Sequence, residues 1–311
     1  MRENRFQVDI ATGRLTLPVV ILVCLILWGI DISKWSDLGT WGIIALCGYL
    51  MIEMNTTFTL IRTRTTLPTC IFVYLTTIFF FLHSFEWTNF APLAFLLAIF
   101  NLFMGYESTK SSTHVFHSFL FLGLGSLALP QLVLFTPLLI ISTITFRAMN
   151  IKSFFASIVG LFTPYWILFG YAFYQNEMPL FNNLVKEMFH FYPINYSGLQ
   201  TTGIIAGLFS TFLLMISSIH YFQVAYLDKT RTRIYLSFFA FSGWWTTLIM
   251  VLQPQHLHAL LPIQLISSAF LTGHLFTLTR NRFSSLFFVV TFILFIALTI
   301  FNLWMRFFSF K

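Results

Sequence analysis

The sequence predicts an all-α protein: a polytopic transmembrane helix bundle of about eleven spans, forming a single integral membrane domain over residues 1–311. Two observations predict this fold class. Of the 311 residues, 58% are hydrophobic and only 9% are charged, whereas soluble domains carry roughly 25% charged residues. Uncharged apolar runs also recur along the whole chain, separated by short polar connections. This composition leaves no stretch for an appended soluble domain.

The individual spans follow from these apolar runs and from the residues that end them. A short basic stretch precedes the first run, and no small-residue cleavage site follows it, so we expect an uncleaved first span rather than a signal peptide. Arg62 and Arg64 end the second span, and polar connections end the others. The expected spans are residues 15–30, 41–61, 67–83, 90–105, 114–129, 131–146, 153–174, 201–226, 234–252, 260–278 and 284–305.

The fifth and sixth spans form a short hairpin broken by proline. Residues 114–146 contain no Asp, Glu, Lys or Arg, and as one helix they would be about 50 Å long, against roughly 30 Å of hydrocarbon core. Pro130 divides them. Lys110 precedes the segment and Arg147 and Lys152 follow it, and cationic loops stay on the cytoplasmic side, so the chain must return. Two short spans and one re-entrant loop both fit.

The distribution of basic residues predicts the orientation. With the hairpin included, 13 of the 17 Lys and Arg residues fall on one side and 4 on the other. The basic side is expected to be cytoplasmic. We therefore expect a protein of the bacterial inner membrane with its N-terminus in the cytoplasm and its C-terminus outside.

The longest polar connection contains a predicted surface helix. Between residues 180 and 192, apolar side chains recur at helical spacing, and polar side chains fill the rest of the turn. This pattern is typical of an amphipathic helix lying along the membrane surface. The apolar positions are Phe181, Leu184, Val185, Met188, Phe189 and Tyr192.

Composition also excludes some functions. The net charge of +7 lies in short loops that orient the protein, which argues against a nucleic-acid partner. Cys24, Cys47 and Cys70 all fall inside apolar spans, where they are expected to be small core residues rather than disulfides or metal ligands. No metal site and no cofactor is indicated by the sequence.

Glu53, His220 and His274 are the candidate functional residues within the predicted spans, and Glu53 is the only acidic residue there. Glu53 is in the second span, and His220 and His274 lie toward the cytoplasmic ends of later spans. Ionisable groups at membrane depth are costly and often form proton relays or ligand sites. Together the three indicate a binding site inside the bundle, as in a transporter. The alternative is that each is a hydrogen-bonded packing residue.

A second group of polar residues collects on the predicted outer face. Metal-assisted or general acid–base chemistry could be built from its carboxylates and imidazoles. Asp31, Asp37 and Glu86 are the candidate catalytic residues, and His256 and His258 are candidate ligand-binding residues. The spacing of the two histidines is not the i, i+4 pattern of a zinc helix. The remaining members of the group are His83, Glu177, Glu187 and His190.

Four segments carry a resemblance to known proteins. They are TLPTCIFVYLTTIFFFL (66–82), PLAFLLAIFNLFMGYE (92–107), HVFHSFLFLGLGSLALPQLVLFTPLLI (114–140) and GLFTPYWILFGYAF (160–173). Over most of residues 10–175 the chain resembles a family of uncharacterised multi-spanning bacterial inner-membrane proteins. More distantly, the GLGSLALP hairpin and the basic step before the seventh span are similar to the membrane part of C-type glycosyltransferases.

The second resemblance implies a lipid-linked substrate. C-type glycosyltransferases use polyprenyl-phosphate-linked sugars, and a carboxylate just after their first span is the implied catalytic residue. Asp31 occupies that place here. The long first outer loop of that class is reduced to ten residues in this chain, so either the chemistry has been lost or the similarity reflects only helical packing.

Three functions remain open from the sequence. The first is an enzyme-like protein that handles lipid-phosphate-linked sugars among membrane lipids at the outer face, through Asp31 with Asp37 or Glu86. The second is a transporter that uses Glu53, His220 and His274. The third is a non-catalytic membrane subunit or scaffold with unknown protein partners.

Overall fold

The computed structural model describes residues 5–31, 34–190, 192–196, 198–279 and 282–308, apart from the side chains of Arg5, Phe6, Asp31, Phe189, Arg282, Phe283 and Phe308. Within these ranges the chain is 84% helical and contains no strand, which confirms the predicted all-α class. The α-helices are α1 Arg5–Thr12, α2 Thr16–Asp31, α3 Asp37–Phe58, α4 Leu67–Ile78, α5 Phe90–Met104, α6 Ser111–Ala128, α7 Thr136–Thr145, α8 Ile151–Tyr174, α9 Met178–Phe189, α10 Thr201–Val224, α11 Thr230–Leu252, α12 Leu257–Leu278 and α13 Arg282–Phe308.

Seven helical segments of the described chain are long and apolar enough to cross a membrane, so the expected eleven spans are not confirmed. Each of the eleven predicted runs does form helix, but several are short. Sixteen residues, as in α2, rise only about 24 Å. The seven are Asp37–Phe58, Trp87–Met104, Ile151–Tyr174, Thr201–Leu227, Thr230–Leu252, Pro254–Leu278 and Ser284–Phe307, and the shorter apolar helices are Thr16–Ile30, Leu67–Ile78 and Pro130–Thr145.

Helix α12 is the centre of the bundle. It packs against α4, α5, α10 and α11, and 94% of the most apolar stretch of Pro254–Leu278 is buried. In the corresponding stretches of α8 and α13, only 28% and 17% of residues are buried. These two helices therefore lie at the periphery, where their apolar side chains suit contact with lipid.

The connections between helices contact one another in two groups, and each group lies at one end of the bundle. One end, which we call the basic end, joins α1 to the connections that follow α3, α5, α7, α10 and α12. The other end, the opposite end, joins the connections that follow α4, α6 and α11. The hydrogen bonds that unite the basic end are Thr65 Oγ1 to Ala11 O, Thr232 Oγ1 to Thr59 O, Glu107 N to Phe146 O and Gln7 Nε2 to Thr279 O.

The segment between α5 and α8 returns to the end at which it starts. Glu107 N donates to the Phe146 oxygen at 3.2 Å, and Arg147 pairs with Glu107 at 3.1 Å. Pro130 begins a 3-10 helix, Pro130–Phe135, at the tip. There Gln131 Nε2 lies 2.8 Å from His256 Nε2, in the connection before α12. The hairpin therefore extends from the basic end to the opposite end and back.

Small residues let α6 and α8 pack closely. A Cβ atom at Gly160 of α8 would lie 2.5 Å from the Phe116 oxygen, and one at Gly123 of α6 would lie 2.6 Å from the Leu161 oxygen. Close backbone approach at such residues is a common way for membrane helices to associate. Asn150 fixes the start of α8, because its side chain accepts a hydrogen bond from Ser153 N at 2.7 Å.

The predicted amphipathic helix is present as α9, which ends three residues earlier than expected. Phe181, Leu184, Val185 and Met188 are half-buried, whereas Leu180 and the polar side chains of the helix are exposed. Phe181 contacts Phe169 of α8, with ring centroids 5.4 Å apart. Together α8 and α9 border an apolar groove of about 870 Å³.

The hairpin geometry predicts that topology reporters fused after Lys110 and after Lys152 report the same side of the membrane. The reason is that the two ends of the α6–α7 hairpin contact each other through Glu107 and Phe146. Alkaline phosphatase and green fluorescent protein fusions at both positions measure this. A fusion after Tyr174, at the far end of α8, should give the reverse signal, and opposite signals at the first two sites would contradict the hairpin.

The α6–α8 contact predicts that Gly160→Ala destabilises the protein, because the new methyl group meets backbone that cannot yield easily. We expect a loss of about 1–3 kcal/mol, as for overpacked interiors. Thermal unfolding in detergent measures it. Gly170→Ala is the matched control on the same helix, since no atom lies within 4 Å of its Cβ position. Equal effects of the two substitutions would contradict the close contact.

Candidate functional site

Polar side chains line the contact between α10, α11 and α12. Gln264, Ser267 and His274 of α12 are at positions i, i+3 and i+10, so they share one face of the helix over about 15 Å. All three are at most 1% exposed. We call this group and its partners the polar seam. Its members are Gln264, Ser267 and His274 of α12; Ser210, Thr211, Ser217, Ser218 and His220 of α10; Ser242, Thr246 and Thr247 of α11; and Asp228 and Thr279 at the basic end.

The middle of the seam is a closed hydrogen-bond network. Gln264 Oε1 accepts from Ser210 Oγ at 2.5 Å, and Gln264 Nε2 donates to Thr211 Oγ1 at 3.0 Å and to Thr247 Oγ1 at 2.8 Å. One amide thereby links all three helices. A hydroxyl group can both donate and accept, so the three hydroxyl side chains around Gln264 can satisfy its oxygen and both of its N–H groups.

At the basic end the seam contains a buried carboxylate–imidazole pair. His274 Nε2 lies 2.8 Å from Asp228 Oδ2, and the two side chains are 1% and 5% exposed. A 3-10 turn at Ala225–Leu227, directly after α10, places Asp228 under the end of α12. The ring of Tyr221 stands nearly perpendicular to that of His274, with centroids 6.0 Å apart.

His220 is the second imidazole of this end. It lies close enough to His274 for their charges to interact, and its Nε2 is 2.8 Å from Thr279 Oγ1. The Nδ1 atoms of both histidines and the hydroxyl of Ser218 are enclosed without a hydrogen-bond partner among the described residues. Most enclosed polar atoms in proteins have a hydrogen-bond partner, so these three have bonding capacity left for a water molecule or another group.

The chemistry of the pair follows from what each atom can donate. An ionised carboxylate only accepts hydrogen bonds, so His274 Nε2 carries a hydrogen whenever Asp228 is ionised. The remaining ring atom, Nδ1, is therefore where a proton is gained or lost. With that proton the pair is an imidazolium beside a carboxylate, with zero net charge. Without it the pair carries one negative charge, and the contact at Nε2 persists in both states.

The other predicted intramembrane residue lies elsewhere. Glu53 is half-buried on α3 and accepts a hydrogen bond from Thr57 Oγ1, one turn along the same helix, at 3.1 Å. The carboxylate beside His274 is Asp228, which lies in the connection between the predicted spans 201–226 and 234–252 and was not among the candidate residues. Its neighbours Lys229, Arg231 and Arg233 give that connection the pattern of an exposed segment. No feature of the local sequence shows that Asp228 is buried while these basic neighbours are exposed.

The predicted catalytic carboxylates occupy separate positions at the opposite end. Asp31 is the last residue of α2, and its side chain lies outside the described part of the chain. Asp37 is buried at the start of α3 and accepts from Lys34 N at 3.0 Å, within the turn that precedes that helix. Glu86 lies 3.7 Å from His258 and accepts from Thr88 at 3.2 Å.

Of the two predicted outer histidines, His258 lies near Glu86 and His256 lies at the hairpin tip. His258 Nε2 donates to the Phe81 oxygen at 2.9 Å. His256 receives a hydrogen bond from Gln131, at the hairpin tip. Among the described residues, no group of three or more His, Cys, Asp or Glu side chains is arranged to hold a metal ion. Sequence reasoning missed Gln131 and Gln264 because it considered only titratable groups.

The network around Gln264 predicts that Gln264→Leu destabilises the protein, because it leaves three hydroxyl groups of α10 and α11 without their partner. We expect a loss of about 1–2 kcal/mol, in the upper range for such bonds between membrane helices. Unfolding in detergent measures it. Gln200→Leu, at an exposed position before α10, is the control and should be neutral. Equal stability of the two variants would mean that the network does not hold the helices.

Comparisons with known protein families, curated proteins and solved structures gave no match. What the polar seam can do therefore follows from its own side chains. One carboxylate and two imidazoles, enclosed at the end of a hydroxyl-lined helix contact, form a group that can bind and pass on a proton.

Proposed function

We propose that this integral membrane protein is a transporter whose solute movement is coupled to protons, with Asp228 and His274 as the proton-binding pair. The observation that carries the proposal is their 2.8 Å contact within a helical bundle, with both side chains at least 95% buried. Burying a charged group away from water is costly unless it is paired. In membrane proteins such groups mark proton relays and substrate pathways.

His220 and the seam supply the neighbouring proton acceptors. His220 Nδ1 and Ser218 Oγ are enclosed near the pair and have unused bonding capacity. Farther along α12, Ser267 and Ser242 are 2.9 Å apart, and the Gln264 network follows. A proton that arrives at His274 therefore meets a series of hydroxyl, amide and imidazole groups rather than a purely apolar interior.

The proposed orientation places the proton-binding pair near the cytoplasm. The connections of the basic end carry most of the basic residues, and cationic loops are retained on the cytoplasmic side. In a bacterial inner membrane, the Asp228–His274 pair would then exchange protons with the cytoplasm. The opposite end, with Glu86, His256 and His258, would face outward.

The remaining functions stay predictions. Handling of lipid-linked sugars depends on Asp31 as a catalytic carboxylate, and its side chain lies outside the described residues. The apolar groove between α8 and α9 would suit a lipid chain, but any lipid-facing surface of a helix bundle can form such a groove, so it does not favour an enzyme. A non-catalytic subunit does not need the enclosed imidazoles of the seam, which is why transport is the better proposal.

Proton coupling is tested with purified protein in liposomes that contain a pH-sensitive dye. Amino acids, sugars, amines and organic acids are added outside, and the change of internal pH is followed. We expect one solute class to accelerate proton movement. Asp228→Asn and His274→Asn should each lower that rate at least tenfold, because neither variant retains both the carboxylate and the titratable ring.

Two further variants make the test specific. Glu53→Gln should keep the full rate, since Glu53 does not contact the Asp228–His274 pair. His117→Asn, on α6 and outside the seam, controls for loss of a half-buried imidazole. Proton movement in the wild type that no solute changes, or that survives in both seam variants, would refute the proposal.

A further inference from the structure

The opposite end of the bundle contains two hydrogen-bond acceptors that face each other. His258 Nε2 donates to the Phe81 oxygen at 2.9 Å, so in the neutral ring Nδ1 has no hydrogen and is an acceptor. The nearest carboxylate oxygen, Glu86 Oε2, is 3.7 Å from this Nδ1, which is too long for a hydrogen bond. Nδ1 is enclosed and has no hydrogen-bond partner among the described residues, so only a small group that enters between the two side chains and brings its own hydrogens can bridge them.

Two amide oxygens add to this set of acceptors. Gln131 and Gln253 are each only 2% exposed, and the Oε1 atom of each has no hydrogen-bond partner among the described residues. Gln131 Nε2 donates to His256 Nε2 at 2.8 Å, so its Oε1, on the same carbon, also lies beside His256. Gln253 occupies the turn that leads to His256, whose N–H donates to the Gln253 oxygen at 3.1 Å.

Accessible groups surround these acceptors. The side chain of Glu86 is 54% exposed, and Tyr192 is 40% exposed, with its ring 6.3 Å from that of His256. Glu187 of α9 is close enough to His256 to act on it electrostatically. Lys186 is also exposed on α9, but it lies about 100° around the helix from Glu187. Carboxylates, carbonyl oxygens and an aromatic face together suit a cation that donates hydrogen bonds.

We propose that these residues, the opposite-end cluster, bind a small solute that carries a primary ammonium group. The cluster comprises Glu86, Gln131, Tyr192, Gln253, His256 and His258. The ammonium group donates to Glu86 Oε2 and to His258 Nδ1, and the amide oxygens of Gln131 and Gln253 offer further acceptors in the same part of the opposite end. The inference deepens the proposed transport function, on which it rests, by giving the class of solute.

The experiment compares three probes of equal chain length on the purified wild-type protein. n-Butylammonium has charge and N–H donors, butyltrimethylammonium has charge alone, and 1-butanol has a single donor and no charge. Binding is measured by isothermal titration calorimetry at pH 8. We expect n-butylammonium to bind at least tenfold more tightly than either of the others. Equal binding of the three, or none by n-butylammonium, would overturn the proposal.

Variants assign the site to the cluster. Glu86→Gln should weaken n-butylammonium binding about fivefold, as expected for a partly exposed ion pair, and Gln131→Met should weaken it by a similar factor. The matched controls are Glu177→Gln and Gln200→Met, both at exposed positions of the same end. Unchanged binding in both cluster variants, or equal losses in the controls, would place the ammonium elsewhere and overturn the assignment.

This measurement is independent of proton movement. Binding is measured at equilibrium without a pH gradient, and Asp228→Asn should leave it within twofold of the wild type. Ammonium binding without solute-driven proton movement would refute the transport function but keep the site. Proton movement driven by another solute class, with no ammonium binding, would refute the site alone.

Discussion

The fold depends on the enclosure of α12 by its neighbours. Because 94% of the most apolar stretch of Pro254–Leu278 is buried, a polar side chain in this stretch can find hydrogen-bond partners only within the protein. Gln264 bonds to Ser210, Thr211 and Thr247, and Ser267 to Ser242. These bonds fix the rotation of α10 and α11 about the centre, which apolar packing alone would leave less defined.

Close contacts at small residues complete this arrangement. At Gly273, one residue before His274, a Cβ atom would lie 2.6 Å from Pro68 Cγ of α4, and at Gly243 of α11 it would lie 2.6 Å from Leu214 of α10. The backbone of α12 is therefore held directly against α4 near its basic end. A rigid support of this kind keeps His274 within bonding distance of Asp228, on which the proposed proton binding relies.

Much of the fold could be predicted from the sequence, and less of the candidate site. The apolar runs located the helices to within a few residues because apolar length is what a membrane selects. The length of each helix was harder to predict. In the apolar run 67–83, for example, the α-helix ends at Ile78 and a 3-10 turn follows. His220 and His274 were found from their depth, but Asp228 was not, because its burial is produced by a turn at the end of α10. Hydrophobic patterning cannot show which side chain such a turn brings inward.

The hairpin of α6 and α7 has a consequence for the assembly of the chain. Since it starts and ends at the basic end, it contributes an even number of crossings whether its arms enter the bilayer fully or only in part. The direction in which α8 and all later helices are threaded is therefore the same in both cases. The hairpin can settle into the bundle after α8 to α13 have been inserted, with no helix having to turn over.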